Sequence, residues 1–177
     1  MMLPPFIRLW LWKKQMNRLR RSYQINGTAK NFAPKRCVLL YPADVAAWSQ
    51  LVEQRTQLWP NSPLDFAFIG YTETDKEPTN VVPPYYLMHK NQLGTAYNLP
   101  ENWFQSWSRQ TDLLLVANPD AYPALDLLAA RFPAFFRVSV YATEFGELYN
   151  FVLQSGPDAP ESRLGALHVY LQKIMQL

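Results

Sequence analysis

Apolar residues recur along this chain with two different spacings. Six short segments are almost continuously apolar, which is the form expected of strands buried on both faces of a parallel sheet. These segments cover residues 37–41, 66–71, 85–88, 112–117, 135–141 and 149–153. Between them, apolar residues lie three and four positions apart, as on one face of an α-helix. This spacing predicts helices that begin near residues 44, 103, 122 and 162.

Strands that alternate with helices predict an α/β fold. A helix between two strands is long enough to cross the sheet, so the strands that it joins pair in parallel. We therefore expect a three-layer, mostly parallel open sheet of the Rossmann-like class, with residues 149–153 as a candidate for an antiparallel edge strand. A chain of 177 residues suits one such domain. We assign residues 35–177 to a single α/β domain, and residues 1–34 to a helix and linker before it.

The segment before the domain predicts an amphipathic helix over residues 6–23. Its apolar stripe follows a 3-4-3-4 spacing and consists of Leu9, Trp12, Met16, Leu19 and Tyr23. Basic residues cover much of the remaining surface. Pro4 and Pro5 suit the start of a helix, and Asn26-Gly27 suits its end.

The charge of the chain is divided by position. Residues 1–43 contain nine basic side chains and no acidic one, whereas the rest of the chain contains eight basic and all 14 acidic residues. The net charge of +3 therefore conceals a segment of +9 and a segment of −6. A concentrated positive segment is attracted to phosphate backbones and to anionic lipid, within about one Debye length.

We expect the basic face of the first helix to contact an anionic partner. The predicted contact residues are Trp10, Trp12, Lys13, Lys14, Arg18, Arg20 and Arg21. RNA or a ribonucleoprotein fits, because Arg-rich helices with interleaved aromatic residues suit phosphate contact and base stacking. An anionic membrane surface is the alternative that Trp10 and Trp12 support, and another protein is a third. In a fourth interpretation, the apolar stripe packs on the protein's own domain and the charges are only solvated.

The chain lacks the sequence patterns of the common catalytic and cofactor sites. Phosphate-cradling loops need clustered glycines, but the first strand-to-helix turn, Tyr41-Pro42-Ala43-Asp44, has none. Two histidines and one cysteine cannot form a Cys/His zinc site, and no serine lies in a Gly-x-Ser-x-Gly elbow. Cys37 lies inside a predicted strand, where a thiol is buried and inert. We therefore predict no catalytic residue, no metal and no cofactor.

One position in the predicted sheet still suits a ligand. In open α/β sheets, ligands bind beyond the carboxyl ends of the strands, at the point where the strand order reverses. If the order resembles 3-2-1-4-5, that crevice lies between Asp44 and the turn containing Asn118 and Asp120. The same residue types also cap helices and shape turns, so these residues have a structural interpretation as well.

Three consecutive segments resemble a known family. They are Asp112-Leu113-Leu114-Leu115-Val116, then Leu125-Asp126-Leu127-Leu128-Ala129-Ala130-Arg131-Phe132, and then Phe135-Phe136-Arg137-Val138. This strand, Leu-rich helix and strand are similar to those of an uncharacterised family of small α/β proteins from Bacteroidetes-type bacteria, a domain of unknown function. The basic first helix, the aliphatic first strand and the closing amphipathic helix follow in the family's order. The resemblance implies the fold and the basic helix, and it implies no activity.

These patterns favour a non-enzymatic binding or adaptor module whose basic helix docks on RNA or a ribonucleoprotein. The alternatives are a peripheral membrane adaptor and a small-molecule enzyme that uses the crevice at the carboxyl ends of the strands. No apolar segment approaches the roughly 20 residues needed to cross a bilayer. A single cysteine is typical of a reducing compartment. We therefore expect a cytoplasmic protein, or one attached peripherally at the inner membrane face.

Overall fold

A computed structural model of the chain describes residues 4–22, 32–54, 58–59, 61–74, 85–93 and 111–175. Within these ranges, the strands are β1 (Arg36–Pro42), β2 (Asp65–Thr72), β3 (Tyr85–His89), β4 (Leu113–Val116), β5 (Phe136–Ser139) and β6 (Phe151–Val152). They form one sheet in the order β3-β2-β1-β4-β5-β6, and every neighbouring pair is parallel. The strand order reverses between β1 and β4, which is the position expected for the crevice.

The two central strands are apolar on both sides, because both sides of the sheet are covered. In β1, Val38 and Leu40 face one buried cluster, while Leu39 faces the other. Leu39 pairs in register with Leu115 of β4. Continuous apolar runs are the expected consequence of burial on two faces.

The described helices are α1 (Pro5–Ser22), α2 (Ala46–Gln54), α3 (Pro123–Arg131) and α4 (Pro160–Ile174), and short 3₁₀ helices lie at Lys90–Gln92 and Gly146–Leu148. Side chains of α1 and α3 pack in the cluster on one face of the sheet. Side chains of α2 and α4 pack in the cluster on the other face. The prediction of a three-layer α/β fold is therefore confirmed.

The predicted strands are all present, with ends that differ by a few residues, but the predicted direction of the last one is wrong. β6 runs parallel to β5, with Val138 paired to Phe151. The segment between these strands, which contains the Gly146–Leu148 turn of 3₁₀ helix, returns the chain to the end at which β5 began. A strand that starts from that end has to run in the same direction as its neighbour. The helix predicted near residue 103 lies outside the described residues.

A buried arginine fastens the connection between β6 and α4. Arg163 is 5% exposed, and its guanidinium donates hydrogen bonds to the carbonyl oxygens of Val140 (2.6 Å), Gly156 (3.2 Å) and Pro157 (3.1 Å). The same group lies 4.1 Å from the centre of the Tyr141 ring. The positive charge is thus surrounded by acceptors, which is the condition under which a buried cation is tolerated.

Candidate functional site

Trp12, Met16 and Leu19 of the predicted apolar stripe pack on the protein's own domain, whereas Leu9 is exposed and Tyr23 lies outside the described residues. Trp12 is 3% exposed and Met16 is fully buried. The Trp12 ring meets Phe145 edge to face, with the ring centres 5.4 Å apart, and Leu19 packs against the same cluster. Trp12 is a predicted contact residue, but its burial means that it cannot touch a partner while α1 is in this position. An indole ring is more stable in an apolar core than in water, which explains the direction in which it points.

The opposite side of α1 is cationic and exposed. Trp10 is 59% exposed, and Lys13, Lys14 and Arg18 are also exposed. At about 100° per residue, these side chains point away from the Trp12 and Met16 stripe. We call Trp10, Lys13, Lys14 and Arg18 the outer face of α1.

No carboxylate of the described residues neutralises this outer face. The sequence of α1 contains no acidic residue. The described ion pairs join Lys90 to Glu73 and Arg36 to Asp65, and neither involves α1. Lys14 instead lies over the Trp10 ring, with Nζ 5.2 Å from the ring centre. The side chains of Arg20 and Arg21, also predicted contacts, lie outside the described part of the chain.

The second predicted site lies where expected, beyond the ends of β1 and β4, but its polar groups are used to build turns. The Asp44 carboxylate accepts hydrogen bonds from the Thr72 hydroxyl and from the backbone N–H of Glu73 (2.7 Å). Asp44 therefore fastens the turn after β2, whereas the sequence pattern favours it as a cap of α2. This contact joins residues 28 and 29 positions apart, so no local pattern reveals it.

Asn118 has a comparable structural role in the turn after β4. Its side-chain oxygen accepts a hydrogen bond from the backbone N–H of Tyr122 (2.7 Å). Its side-chain nitrogen donates to the carbonyl oxygen of Tyr122 (3.1 Å) and to Asp126 Oδ1 (3.0 Å). Asn118 is 7% exposed, so a ligand has little access to it. Asp120, in the same turn, is exposed to solvent.

The electrostatics of this edge disfavour an anionic ligand. Burial raises the pKa of Tyr122 above its usual value, and the nearby carboxylates of Asp120, Asp44 and Glu73 raise it further. The three carboxylates therefore concentrate negative charge around the phenol. Lys90, 3.0 Å from Glu73, balances one of them. A phosphate group placed here would be repelled rather than held.

A buried carboxylate on α3 is the titratable group that the sequence pattern did not reveal. Asp126 is 4% exposed, and burial raises the pKa of its carboxyl to about 6. The hydrogen bond from Asn118 acts in the opposite direction, and the charge of Glu144 adds a smaller rise. Burial also raises the pKa of Tyr149, and the charge of Asp126 adds to that effect. The sequence feature that could have indicated this buried carboxyl is the position of Asp126 as a lone acidic residue within the Leu-rich stretch of α3.

The described residues bring together no group typical of metal or thiol chemistry. No three His, Cys, Asp or Glu side chains among them are arranged to hold a metal ion. Cys37 is fully buried in β1, and burial raises its pKa well above the usual value, which keeps the thiol protonated. Of the helices in the described ranges, none has the length and apolar character needed to span a membrane.

Comparison with known proteins yields a family and no assigned activity. Residues 9–174 match the sequence model of a protein family described as "Family of unknown function (DUF6913)". No curated protein and no solved structure matches the chain. The match extends from α1 into α4. The expected resemblance is therefore confirmed at the level of a family of unknown function, while its bacterial group stays a prediction.

Proposed function

We propose that this chain, which belongs to the family of unknown function DUF6913, is a non-enzymatic binding module whose outer face of α1 docks on RNA or a ribonucleoprotein. The observation that carries the proposal is the exposure of Lys13, Lys14 and Arg18 on a helix without acidic residues. These cations have no carboxylate partner among the described residues, so their charge is available to an external anion.

The anchoring of α1 supports this role. Trp12 and Met16 hold the helix against the domain, so the cations are presented on a formed element. A partner would not have to order the helix when it binds, and the entropic cost of association is correspondingly smaller. Salt should weaken the complex, because each phosphate contact releases counterions. Three cations correspond to a slope of about −2 in log affinity against log salt concentration on single-stranded RNA.

The edge of the sheet gives less support to the enzymatic alternative. Asp44 and Asn118 are engaged in turns, and the carboxylates around Tyr122 repel anionic substrates. The cations on α1 attract anions and the carboxylates at the sheet edge repel them, so of these two described surfaces α1 is the one that favours a polyanion.

Two matched lysines allow a direct test. Lys14 of α1 and Lys173 of α4 are both exposed, and each lies over an aromatic ring of its own helix, 5.2 Å from Trp10 and 5.7 Å from Tyr170. We expect K14E to weaken RNA binding at least about 5-fold at ~100 mM salt, and K173E to change it less than about 2-fold. Fluorescence anisotropy with labelled RNA gives both affinities.

Equal effects of K14E and K173E would show that only the net charge matters, and would overturn the assignment to α1. Affinity that does not change between about 50 and 300 mM salt would overturn the electrostatic basis of the proposal. Flotation with anionic vesicles separates RNA from the alternative partner, a membrane surface. Binding to vesicles without binding to RNA would replace the proposed function with peripheral membrane attachment.

A further inference from the structure

We infer that the outer face of α1 selects unpaired over base-paired RNA, by stacking bases on Phe6 and Trp10. This inference rests on the proposed function and specifies its ligand. Phe6 is 71% exposed and Trp10 is 59% exposed, more than any other large hydrophobic side chain among the described residues. The two rings lie four positions apart, about one helical turn, on the side of α1 that carries Lys13 and Lys14.

Packing of the domain does not require these two rings. The buried cluster under α1 uses Trp12 and Met16, and neither Phe6 nor Trp10 belongs to it. Large exposed aromatic side chains that neighbour one another, outside the buried clusters of the described residues, are typical of contact sites. The two rings therefore point to a ligand with flat apolar faces.

The cation beside Trp10 defines that ligand further. Lys14 Nζ lies 5.2 Å from the centre of the Trp10 ring. Because Lys14 lies over one face of this ring, a base stacks on the other face or takes the place of the lysine, whose ammonium group can then contact the phosphate of the same nucleotide. Aromatic stacking and backbone neutralisation are the two contributions that single-stranded nucleic acids offer to proteins. From Phe6 to Arg18, the helix extends about 18 Å, enough for a few nucleotides.

Base pairing makes the faces of the bases unavailable for stacking on Phe6 and Trp10. In a duplex, each base is already stacked between its neighbours, and the major groove of A-form RNA is too narrow for side chains. Duplex RNA could then engage only the cations, and the two rings would contribute little. Unpaired loops, ends and linear strands present base faces and phosphates together.

The exposed apolar segment of α1 is short, which favours a nucleotide strand over a bilayer as its binding partner. Among the described side chains of α1, the exposed apolar ones are confined to Phe6, Leu9 and Trp10, near its start. Lys13, Lys14, Asn17 and Arg18 occupy the following two turns and are also exposed. A helix lying in a membrane interface needs an apolar face along its length.

The test compares one RNA in two forms on the full-length chain. A labelled, unstructured strand of about 12 nucleotides is titrated alone and annealed to its complement. For F6A/W10A, we expect the affinity for the single strand to fall at least about 10-fold, because stacking contributes at each ring. The affinity for the duplex and the salt dependence should stay unchanged, because no charge is altered.

Two control variants separate stacking from charge. W10F keeps an aromatic ring and should retain most of the preference for the single strand. K13Q/K14Q/R18Q should weaken both RNA forms and flatten the salt dependence, while the ratio between the two forms is kept. Circular dichroism checks that each variant is folded, and if F6A/W10A is not folded, F6A alone carries the comparison.

The possible failures are distinguishable. If F6A/W10A leaves the ratio of single-strand to duplex affinity unchanged while K13Q/K14Q/R18Q weakens both, the stacking inference is overturned and the proposed function survives. If the parental chain binds neither RNA form at about 50 mM salt, both are overturned. Binding of the parental chain, but not of F6A/W10A, to vesicles that contain anionic lipid would then identify Phe6 and Trp10 as membrane contacts.

Discussion

At the scale of single residues, Asp126 shows how packing changes chemistry. Its carboxyl lies within a helix in which Ala124 to Ala130 are all buried. The Asn118 amide, 3.0 Å away, is the hydrogen-bond donor that meets it. Burial disfavours the charged form more than this bond favours it, and the pKa rises to about 6. The same Asn118 also fastens the turn after β4, so one side chain serves the turn and the carboxyl together.

Substitution D126N should make the protein more stable at neutral pH. The carboxyl has a pKa of about 3.9 when unfolded, and of about 6 when folded. Between these values the folded state binds more protons, so the stability of the parental protein falls as the pH rises through this window. Above it, the penalty is on the order of 2–3 kcal/mol. The amide introduced by D126N carries no charge, and its oxygen still accepts the hydrogen bond from Asn118.

Urea unfolding at about pH 4.5 and about pH 7.5 measures this effect. D126N should exceed the parental protein in free energy of unfolding at the higher pH and differ less at the lower pH. A variant that is equally destabilised at both values would contradict the assignment of a raised pKa to Asp126.

At the scale of elements, α1 presents two chemically different sides. Trp12 and Met16 are buried, while Lys13 and Lys14, which lie between them in the sequence, are exposed. The helical rotation of about 100° per residue separates them. α1 also contacts α3, whose central residues are buried throughout. The helix is thus a structural part of the domain on one side and a candidate docking surface on the other.

Truncation of Trp12 should release α1, whereas a conservative change should not. W12A removes the ring that packs on Phe145, and a core truncation of this size costs about 3–5 kcal/mol. W12F keeps an aromatic ring and deletes the indole N–H, which has no hydrogen-bond partner in the described part of the chain. Hydrogen exchange should show deprotected α1 amides in W12A and nearly parental protection in W12F. Full protection of α1 in W12A would show that Trp12 is not its anchor.

At the scale of the whole molecule, two surfaces of the described residues carry charge of opposite sign. The outer face of α1 is positive, and the carboxyl edge of the sheet near Tyr122 is negative. Such a distribution orients a polyanion during encounter, because it is attracted to one surface and repelled by the other. The fold therefore directs anions away from the crevice that ligands of related architectures occupy.

Nucleotides and dinucleotides should not stabilise this protein. A ligand at 100 times its Kd stabilises the folded state by about 2.7 kcal/mol, which shifts Tm by several degrees in a domain of this size. We expect a shift below about 1 °C with millimolar ATP or NAD. Differential scanning fluorimetry measures it on the parental chain and on K13Q/K14Q/R18Q, and a saturable increase in Tm that this variant retains would contradict the account of the crevice and revive the enzymatic alternative.

Much of the architecture could be predicted from local pattern. The segments that contain β1 and β4 are continuously apolar, as expected of strands in a parallel sheet that is covered on both faces. The helical spacing of Leu164, Leu167 and Leu171 predicts α4. The direction of β6 was predicted wrongly, because two residues carry no directional signal and the path of the preceding connection decides it. The bonds of Asp44 to residues 72 and 73 were missed for a similar reason, since they join separate strands.

The sequence by itself determined the types of the elements and the concentration of cations at one end, because periodicity and charge are local properties of the chain. Only the tertiary structure decided that Trp12 is buried and Trp10 exposed, that Asp44 and Asn118 build turns, and that Asp126 is held in an apolar environment. These outcomes depend on burial and on hydrogen bonds between distant segments. Such contacts form only when the layers pack against one another.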